Sequence, residues 1–150
     1  MAMEDVYEIQ KLMFEYGWRI DSGDFDGVCD LLKDAQISYD GKLAYDRNPK
    51  AYMMTLKPIV RYDDGTPKTC HMVIDPIIDV AADGLTATGR SYTVVVQGVT
   101  GQFMPRIIWV DRKFDTFVKE NGKWRFDTRN FITRAEGDTS GHLDLSVYKR

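Results

Sequence analysis

Histidine and cysteine are scarce in this chain: 150 residues contain two of each, His71, His142, Cys29 and Cys70. Two cysteines cannot build a disulfide framework, and neither stands in the spacing of a zinc site; both read as small apolar fillers, Cys29 in a helical core and Cys70 in a buried strand. No apolar run approaches the roughly 20 residues of a membrane span. The first ten residues carry Glu4, Asp5 and Glu8, unlike a signal peptide, so the expected location is the cytoplasm. Charge of one sign is lacking too. The formal net charge is −3, and basic residues alternate with acids, as in Asp111-Arg112-Lys113-Phe114-Asp115. That leaves no basic face for nucleic acid. Repeats, low-complexity segments and linkers are missing, so a single domain over residues 1–150 is expected. A content of 43% hydrophobic and 29% charged residues suits a globular protein with a real core.

What is present changes character near Pro67. Before it, Val6, Ile9, Leu12, Met13, Tyr16 and Ile20 recur at helical spacing, forming one apolar stripe. Asp21-Ser22-Gly23-Asp24 stops that helix, and Asp24 suits the N-cap of a short second one holding Val28, Leu31 and Leu32. Pro49, favoured in a first turn, opens a third helix expected to reach Ile59. After Pro67 strands dominate. Thr86 to Val99 alternates, with Tyr92, Val94 and Val96 on one face and Ala87, Gly89 and Ser91 on the other. Phe103 to Lys119 is a second long run. Asn121-Gly122 supplies the positive φ angles of a type I′ hairpin turn into Trp124–Phe131. Asp75-Pro76 interrupts the strand around His71 and marks a bulge, since proline cannot donate to a ladder. Helices followed by a meander give an α+β layer fold, whose curved sheet would enclose a ligand-sized cavity.

Two ionisable residues fifty positions apart draw attention. Asp21 closes the first helix, and His71 lies in the strand Thr69–Ile74. A carboxylate that orients an imidazole makes a general base effective near neutral pH. Around them stand Tyr16-x4-Asp21-Ser22-Gly23-Asp24-Phe25-Asp26, His71-x3-Asp75-Pro76-Ile77-Ile78, Ala87-Thr88-Gly89-Arg90-Ser91-Tyr92, and Phe114-Asp115-Thr116-Phe117-Val118-x2-Asn121-Gly122-Lys123-Trp124-Arg125-Phe126. In that order, spanning residues 5–134, these pieces resemble the SnoaL-like and scytalone dehydratase-like group of the nuclear-transport-factor-2-like superfamily. The resemblance implies a cone-shaped α+β barrel, with the N-terminal helices packed in the concave face of a strongly curved, mostly antiparallel sheet. Tyr16, Asp21 and His71 match the tyrosine, aspartate and histidine used by bile acid 7α-dehydratase, and Ser38–Leu43 and Thr86–Arg90 are also similar to that enzyme. The aspartate and histidine recur in scytalone dehydratase and in hexachlorocyclohexane dehydrochlorinase, whose pocket arginine matches Arg129. Asp115 falls at or beside a second pocket histidine of scytalone dehydratase. Tyr16 stands where the dehydrochlorinase has lysine, which favours loss of water over loss of halide.

The resemblance therefore implies a lyase without cofactor or metal, dehydrating a compact hydroxy-carbonyl compound of aromatic or steroid-like size. His71 would take a proton next to the carbonyl, with Asp21 holding its other ring nitrogen. Tyr16 or the imidazolium of His71 would protonate the departing hydroxide. Arg129 or Tyr39 would stabilise the enolate oxygen. Arg129, Tyr39, Trp109, Asp115 and Met54 are the expected substrate contacts. Plainer readings stand beside these. His71 and Tyr16 would serve equally as core residues, Asp21 as a helix end, and Arg129 as the partner of Asp115 or Asp127. Trp109 and the Met53-Met54 pair suit a cavity wall or plain core. Asp111 and Lys113 share the alternating face of Trp109 and would be costly inside unless paired or in a polar cavity. His142 reads as solvated, in a tail from Gly137 that either closes the pocket mouth or packs on a neighbouring subunit. Two other functions fit the same family: a SnoaL-type polyketide cyclase or isomerase, and a non-catalytic ligand-binding protein like the small subunit of ring-hydroxylating dioxygenases. The family further implies a homo-oligomer, a trimer before a dimer, with a small-molecule substrate and no membrane or nucleic-acid partner.

Overall fold

A computed structural model describes residues 2–99, 101 and 104–149. Helix α1 (Ala2–Asp21) buries Ile9, Met13, Tyr16 and Ile20, the stripe that the spacing marks. It ends because Gly23 turns to φ +76°, while the Asp24 N–H bonds back to the Arg19 carbonyl at 2.9 Å. Asp24 then caps α2 (Phe25–Leu31) by accepting from the Gly27 N–H. Asn48 caps α3 (Pro49–Leu56) through the Ala51 N–H. The third helix stops at Leu56 instead of Ile59, because Pro58 has no N–H with which to continue the ladder.

Six strands form one open sheet in the order β2-β1-β6-β5-β4-β3. They are β1 (Gln36–Tyr39), β2 (Lys42–Asp46), β3 (Thr69–Val80), β4 (Thr86–Gln97), β5 (Arg106–Glu120) and β6 (Lys123–Glu136). All neighbours pair antiparallel except β1 with β6. The fold is α+β and cone-like, as expected, although its edge strands β2 and β3 do not close a barrel. The β5–β6 turn has φ of +51° at Asn121 and +76° at Gly122, the hairpin geometry that the Asn-Gly pair announces. At Asp75 φ is +50° and the β3–β4 register slips between Ile74 and Ile77. This is the bulge, and bulges sharpen strand bending and twist. β5 begins at Arg106; Phe103 of the expected run lies outside the described residues. The short β1–β2 hairpin was not expected from the sequence, although its Asp40-Gly41 turn, with φ of +49° and +78°, carries a standard signal.

The two faces of β4 differ. Ala87, Gly89, Ser91, Thr93, Val95 and Gln97 point inward, and Tyr92 lies outward. Small inward residues leave room for α1: a Cβ on Gly89 would meet the Phe117 ring at 2.9 Å and the Met13 sulfur at 3.6 Å. Apolar side chains of α1, α2 and α3 pack there with Phe117, Phe126 and Phe131. Cys29 belongs to that core. Cys70 is exposed, contrary to expectation, because the even positions at the start of β3 face outward.

Candidate active site

Asp21, the last residue of α1, meets β3 with both carboxylate oxygens. Oδ1 lies 2.6 Å from His71 Nδ1 and accepts from the Thr69 hydroxyl at 2.7 Å. Oδ2 accepts from the His71 backbone N–H at 2.8 Å. These bonds staple the helix end to the strand and remove the rotational freedom of the carboxylate. With an ionised carboxylate beside it, Nδ1 carries the ring proton in neutral His71, and Nε2 keeps its lone pair. Burial opposes the negative charge of Asp21, but the hydrogen bonds and charge of His71 outweigh it, holding the carboxyl below its ordinary range. The approach depends on Gly17, one turn before Asp21. A Cβ there would lie 2.8 Å from the His71 Cβ. Sequence reasoning missed Gly17, although an isolated glycine inside a helical stripe is a signal of close packing.

His71 forms part of the wall of a cavity of about 470 Å³ between the helices and the concave sheet. Tyr16, Tyr39 and Tyr52 face it alongside apolar residues such as Ile20, Leu56 and Phe131. The Tyr16 ring stands edge-on to the imidazole, centroids 6.2 Å apart. Its hydroxyl lies 3.2 Å from that of Tyr52, and Tyr39 stacks on Phe131 at 5.1 Å. Burial pushes the Tyr16 phenol up to about 12 and raises Tyr39 and Tyr52 as well. At neutral pH all three are neutral phenols. Trp109 is also on the wall, with Asp111 and Lys113.

Lys113 is the cation of this wall. Its ammonium donates to Asp111 Oδ1 at 2.8 Å and to the Thr93 hydroxyl, and it sits 5.2 Å from the centre of the Phe131 ring. Burial lowers it to about 8, against the pull of Asp111. Arg129 is placed differently. Its Nε and Nη2 donate to the two oxygens of Asp115, each at 2.8 Å, and both side chains are sealed from solvent. Neither lines the cavity. Their pairing follows from register, since Arg129 stands opposite Asp115 across β5 and β6. Asp127 is taken by Arg47.

Residues 1–130 match the sequence model of the SnoaL-like domain. The chain belongs to the SnoaL-like family. No functionally curated protein matches it by sequence. Among solved structures, an NTF2-like protein with a cystatin-like fold from Novosphingobium aromaticivorans is 23% identical over 93% of this chain and 88% of its own, with a TM-score of 0.68. A protein from the same organism, provisionally assigned as a scytalone dehydratase, is 21% identical, covering 96% and 95%, with a TM-score of 0.69. LinA is 15% identical, covering 96% and 95%, with a TM-score of 0.70. At these identities the likeness is one of fold, and the site must be argued from this SnoaL-like chain itself.

Of the residues singled out from the sequence, the fold brings Tyr16, Tyr39, His71 and Trp109 to one cavity, with Asp21 directly behind His71. It keeps three away. Arg129 and Asp115 are locked on each other beneath the wall, and Met54 is 46% exposed, off the cavity, its carbonyl bonded by the Tyr148 hydroxyl. His142 reverses its expected place: the tail folds back so that Thr139, His142, Leu143, Leu145 and Tyr148 are among the residues that line the cavity. Burial, and next the charge of His71, push His142 down to about 4. A larger, open hollow of about 1190 Å³ beside the start of α1 is lined by Glu4, Asp5, Glu8 and Lys119. It holds no acid–base pair of the His71 kind, because Asp5 is engaged by Lys119 and Trp124. Among the described residues, no three Cys, His, Asp or Glu side chains converge as metal ligands, and no helix is long and apolar enough to cross a membrane.

Proposed function

We propose that this SnoaL-like protein is a cofactor-independent lyase that removes water from an uncharged hydroxy-carbonyl compound of aromatic or steroid-like size. The observation that carries this reading is the 2.6 Å contact between Asp21 and His71 at the wall of a 470 Å³ cavity. That volume lies within the usual range for small-molecule sites, about 300–1,000 Å³. Neutral His71 takes the proton from the carbon next to the carbonyl through Nε2. Asp21 stabilises the imidazolium as it forms. Such acid–base chemistry contributes about 10²–10⁴-fold. The electron pair of the broken C–H bond moves toward the carbonyl oxygen, where Lys113 has an N–H left beyond those given to Asp111 and Thr93. Collapse of the enolate forms the carbon–carbon double bond and expels hydroxide, which the His71 imidazolium protonates to water. Tyr16, held by Tyr52 and with its phenol near 12, supports the ring of His71 and presents a neutral hydroxyl.

Charge balance supports the uncharged substrate. Lys113 is matched by Asp111 and Arg129 by Asp115, so neither buried cation is spare for a free carboxylate. Asp21 adds one negative charge behind neutral His71. The same reading takes the chain as one folded domain acting in the cytoplasm, and the resemblance to the family adds a homo-oligomer, a trimer before a dimer.

The test is conversion of a panel of neutral β-hydroxy ketones, followed by the absorbance of the conjugated enone. Asp21→Asn and His71→Ala are expected to lower turnover by about 10²-fold or more, because each removes the base or its orientation. Equal turnover in wild type and both variants would overturn the mechanism.

A further inference from the structure

Thr69 does not line the cavity, yet it holds the carboxylate on which His71 depends. It stands two residues before His71 on β3, and residues at that spacing share one face of a strand. Asp21 Oδ1 accepts from the Thr69 hydroxyl at 2.7 Å and lies 2.6 Å from His71 Nδ1. Oδ2 accepts from the His71 backbone N–H at 2.8 Å. Of these three contacts, only one involves the ring that Asp21 orients. The Thr69 hydroxyl and the His71 N–H take one oxygen each, and so tie the carboxylate to the strand at both oxygens. Thr69 is itself held. It pairs with Gln97 at the end of β4. Next to it, the Gly98 N–H donates to the Lys68 carbonyl at 3.0 Å, and Gln97 Nε2 donates to the Pro67 carbonyl at 2.9 Å. Its branched side chain also has few rotamers open to it.

Asp21 needs that second tie. Its side chain is 20% exposed, so water competes for its oxygens. Without the Thr69 hydroxyl, Oδ1 would be held by the imidazole alone, and the carboxylate could pivot about Oδ2 toward solvent. A neutral imidazole without a fixed partner carries its proton on either nitrogen. A ring protonated on Nε2 has no lone pair there with which to accept a proton. We propose that Thr69 is a positioning residue: by fixing Asp21 Oδ1 from the strand, its hydroxyl keeps the His71 proton on Nδ1 and leaves the Nε2 lone pair free. The effect on turnover rests on the lyase reading above; the effect on the ring does not. Burial pushes the Asp21 carboxyl up, and the Thr69 bond is one of those that bring it back below its ordinary range. An ionised Asp21 leaves the proton on the ring side of the 2.6 Å contact.

Thr69→Val keeps the branched shape and removes only the hydroxyl. The chain has two histidines, so labelling with ¹⁵N-histidine resolves each ring by NMR, and long-range ¹H–¹⁵N spectra tell the two neutral tautomers apart. At about pH 8, above the ordinary histidine range, wild-type His71 should show the Nδ1–H form alone. Thr69→Val should mix it with the Nε2–H form while the His142 signals stay in place, and Thr69→Ser should return the wild-type pattern. On neutral β-hydroxy ketones Thr69→Val should lower kcat about tenfold with KM unchanged, within the ~10²-fold that a misplacement of about 1 Å can cost. Added to Asp21→Asn it should cost nothing further, because Thr69 acts only through Asp21. A Thr69→Val ring that stays in the Nδ1–H form overturns the proposal, as does unchanged kcat in a ring of mixed tautomers. A change that Thr69→Ser leaves in place, or a loss that adds in full to that of Asp21→Asn, assigns Thr69 a structural role and overturns it as well. If the tautomers shift as described but no ketone is turned over, the lyase reading falls while the hold of Thr69 on the ring stands. If wild-type His71 lacks the Nδ1–H form, the base is misassigned and this inference falls with it.

Discussion

Replacing Gly17 with alanine sets two effects of opposite sign against each other. In the middle of a helix this change ordinarily stabilises by about 0.5–1 kcal/mol, because glycine loses more backbone freedom on folding. Here the new methyl would lie 2.8 Å from the His71 Cβ and 3.4 Å from its carbonyl oxygen. Carbon atoms in contact rest about 3.5–4.0 Å apart, so the helix and strand must separate by up to about 1 Å. Neither obstacle is the tip of a flexible side chain. His71 pairs with Val95 in the sheet, and its backbone N–H is bonded to Asp21. Overpacking of this kind costs about 1–3 kcal/mol, so the net effect ranges from nil to a loss of about 2.5 kcal/mol. Gly17→Ala should therefore fail to stabilise the protein in urea unfolding. The same displacement loosens the Asp21–His71 contact, and misplacement by about 1 Å can lower turnover about 10²-fold. A variant stabilised by the full helix-propensity gain, with unchanged His71 resonances, would show that α1 and β3 do not meet as described.

Three further outcomes are expected. Above pH 6.5 His142 is neutral folded and unfolded; between 6.5 and about 4 the unfolded chain alone takes up the proton, so stability falls with falling pH and levels off below 4. Urea titrations at pH 7 and pH 5 should show wild type losing about 2 kcal/mol more than His142→Gln, and equal losses would refute the burial of that imidazole. Asp115→Ala should destabilise by about 3–5 kcal/mol by stranding the Arg129 cation, whereas replacing both residues with apolar ones of similar volume should cost far less, as thermal unfolding will show. The outer sheet face carries Met72, Ile74, Tyr92 and Phe114, all at least 38% exposed, and Ile74→Asp should shift a trimeric or dimeric mass toward monomer in light scattering; a monomeric wild type would end the oligomer proposal.

The elements of this chain were legible where a local signal was strong. The α1 stripe, the Asp24 cap, the Asp75 bulge and the Asn121-Gly122 turn each rest on a few neighbouring residues. β1 and β2 escaped because four and five residues carry little periodicity, and the parallel pairing of β1 with β6 joins segments about ninety positions apart. The same division runs through the candidate site. Asp21 lies beside the apolar stripe, so spacing alone does not aim it at His71; that aim comes from the helix meeting β3 at Gly17. Arg129 looked free to reach a ligand because cross-strand register, which seats it on Asp115, is not written in either strand alone. His142 was invisible for a related reason. Its burial arises from backbone pairing with residues 58–60, and nothing in the polar tail around it announces that contact.

The cost of the interior bears on what the cavity does. Asp111, Lys113, Asp115 and Arg129 are nearly or fully buried, although apolar residues of similar volume would often serve stability as well or better. Stability alone therefore gives little reason for two ion pairs on adjacent strands. They also leave Arg129 Nη1 without a partner, a further expense in a well-packed core. On the proposed mechanism the pairs have separate tasks. Arg129 and Asp115 form a fixed neutral strut, with the guanidinium 4.8 Å from the Tyr16 ring that backs His71. Lys113 and Asp111 face the cavity, neutral as a pair, with one ammonium N–H to spare. A carbonyl compound entering uncharged disturbs neither balance. The new negative charge is the one that develops on its oxygen as His71 removes the proton, and Lys113 is already in place when it appears. Preorganised donors of that kind favour the transition state over the ground state. An apolar wall could hold the same ketone, but it would leave that charge unanswered.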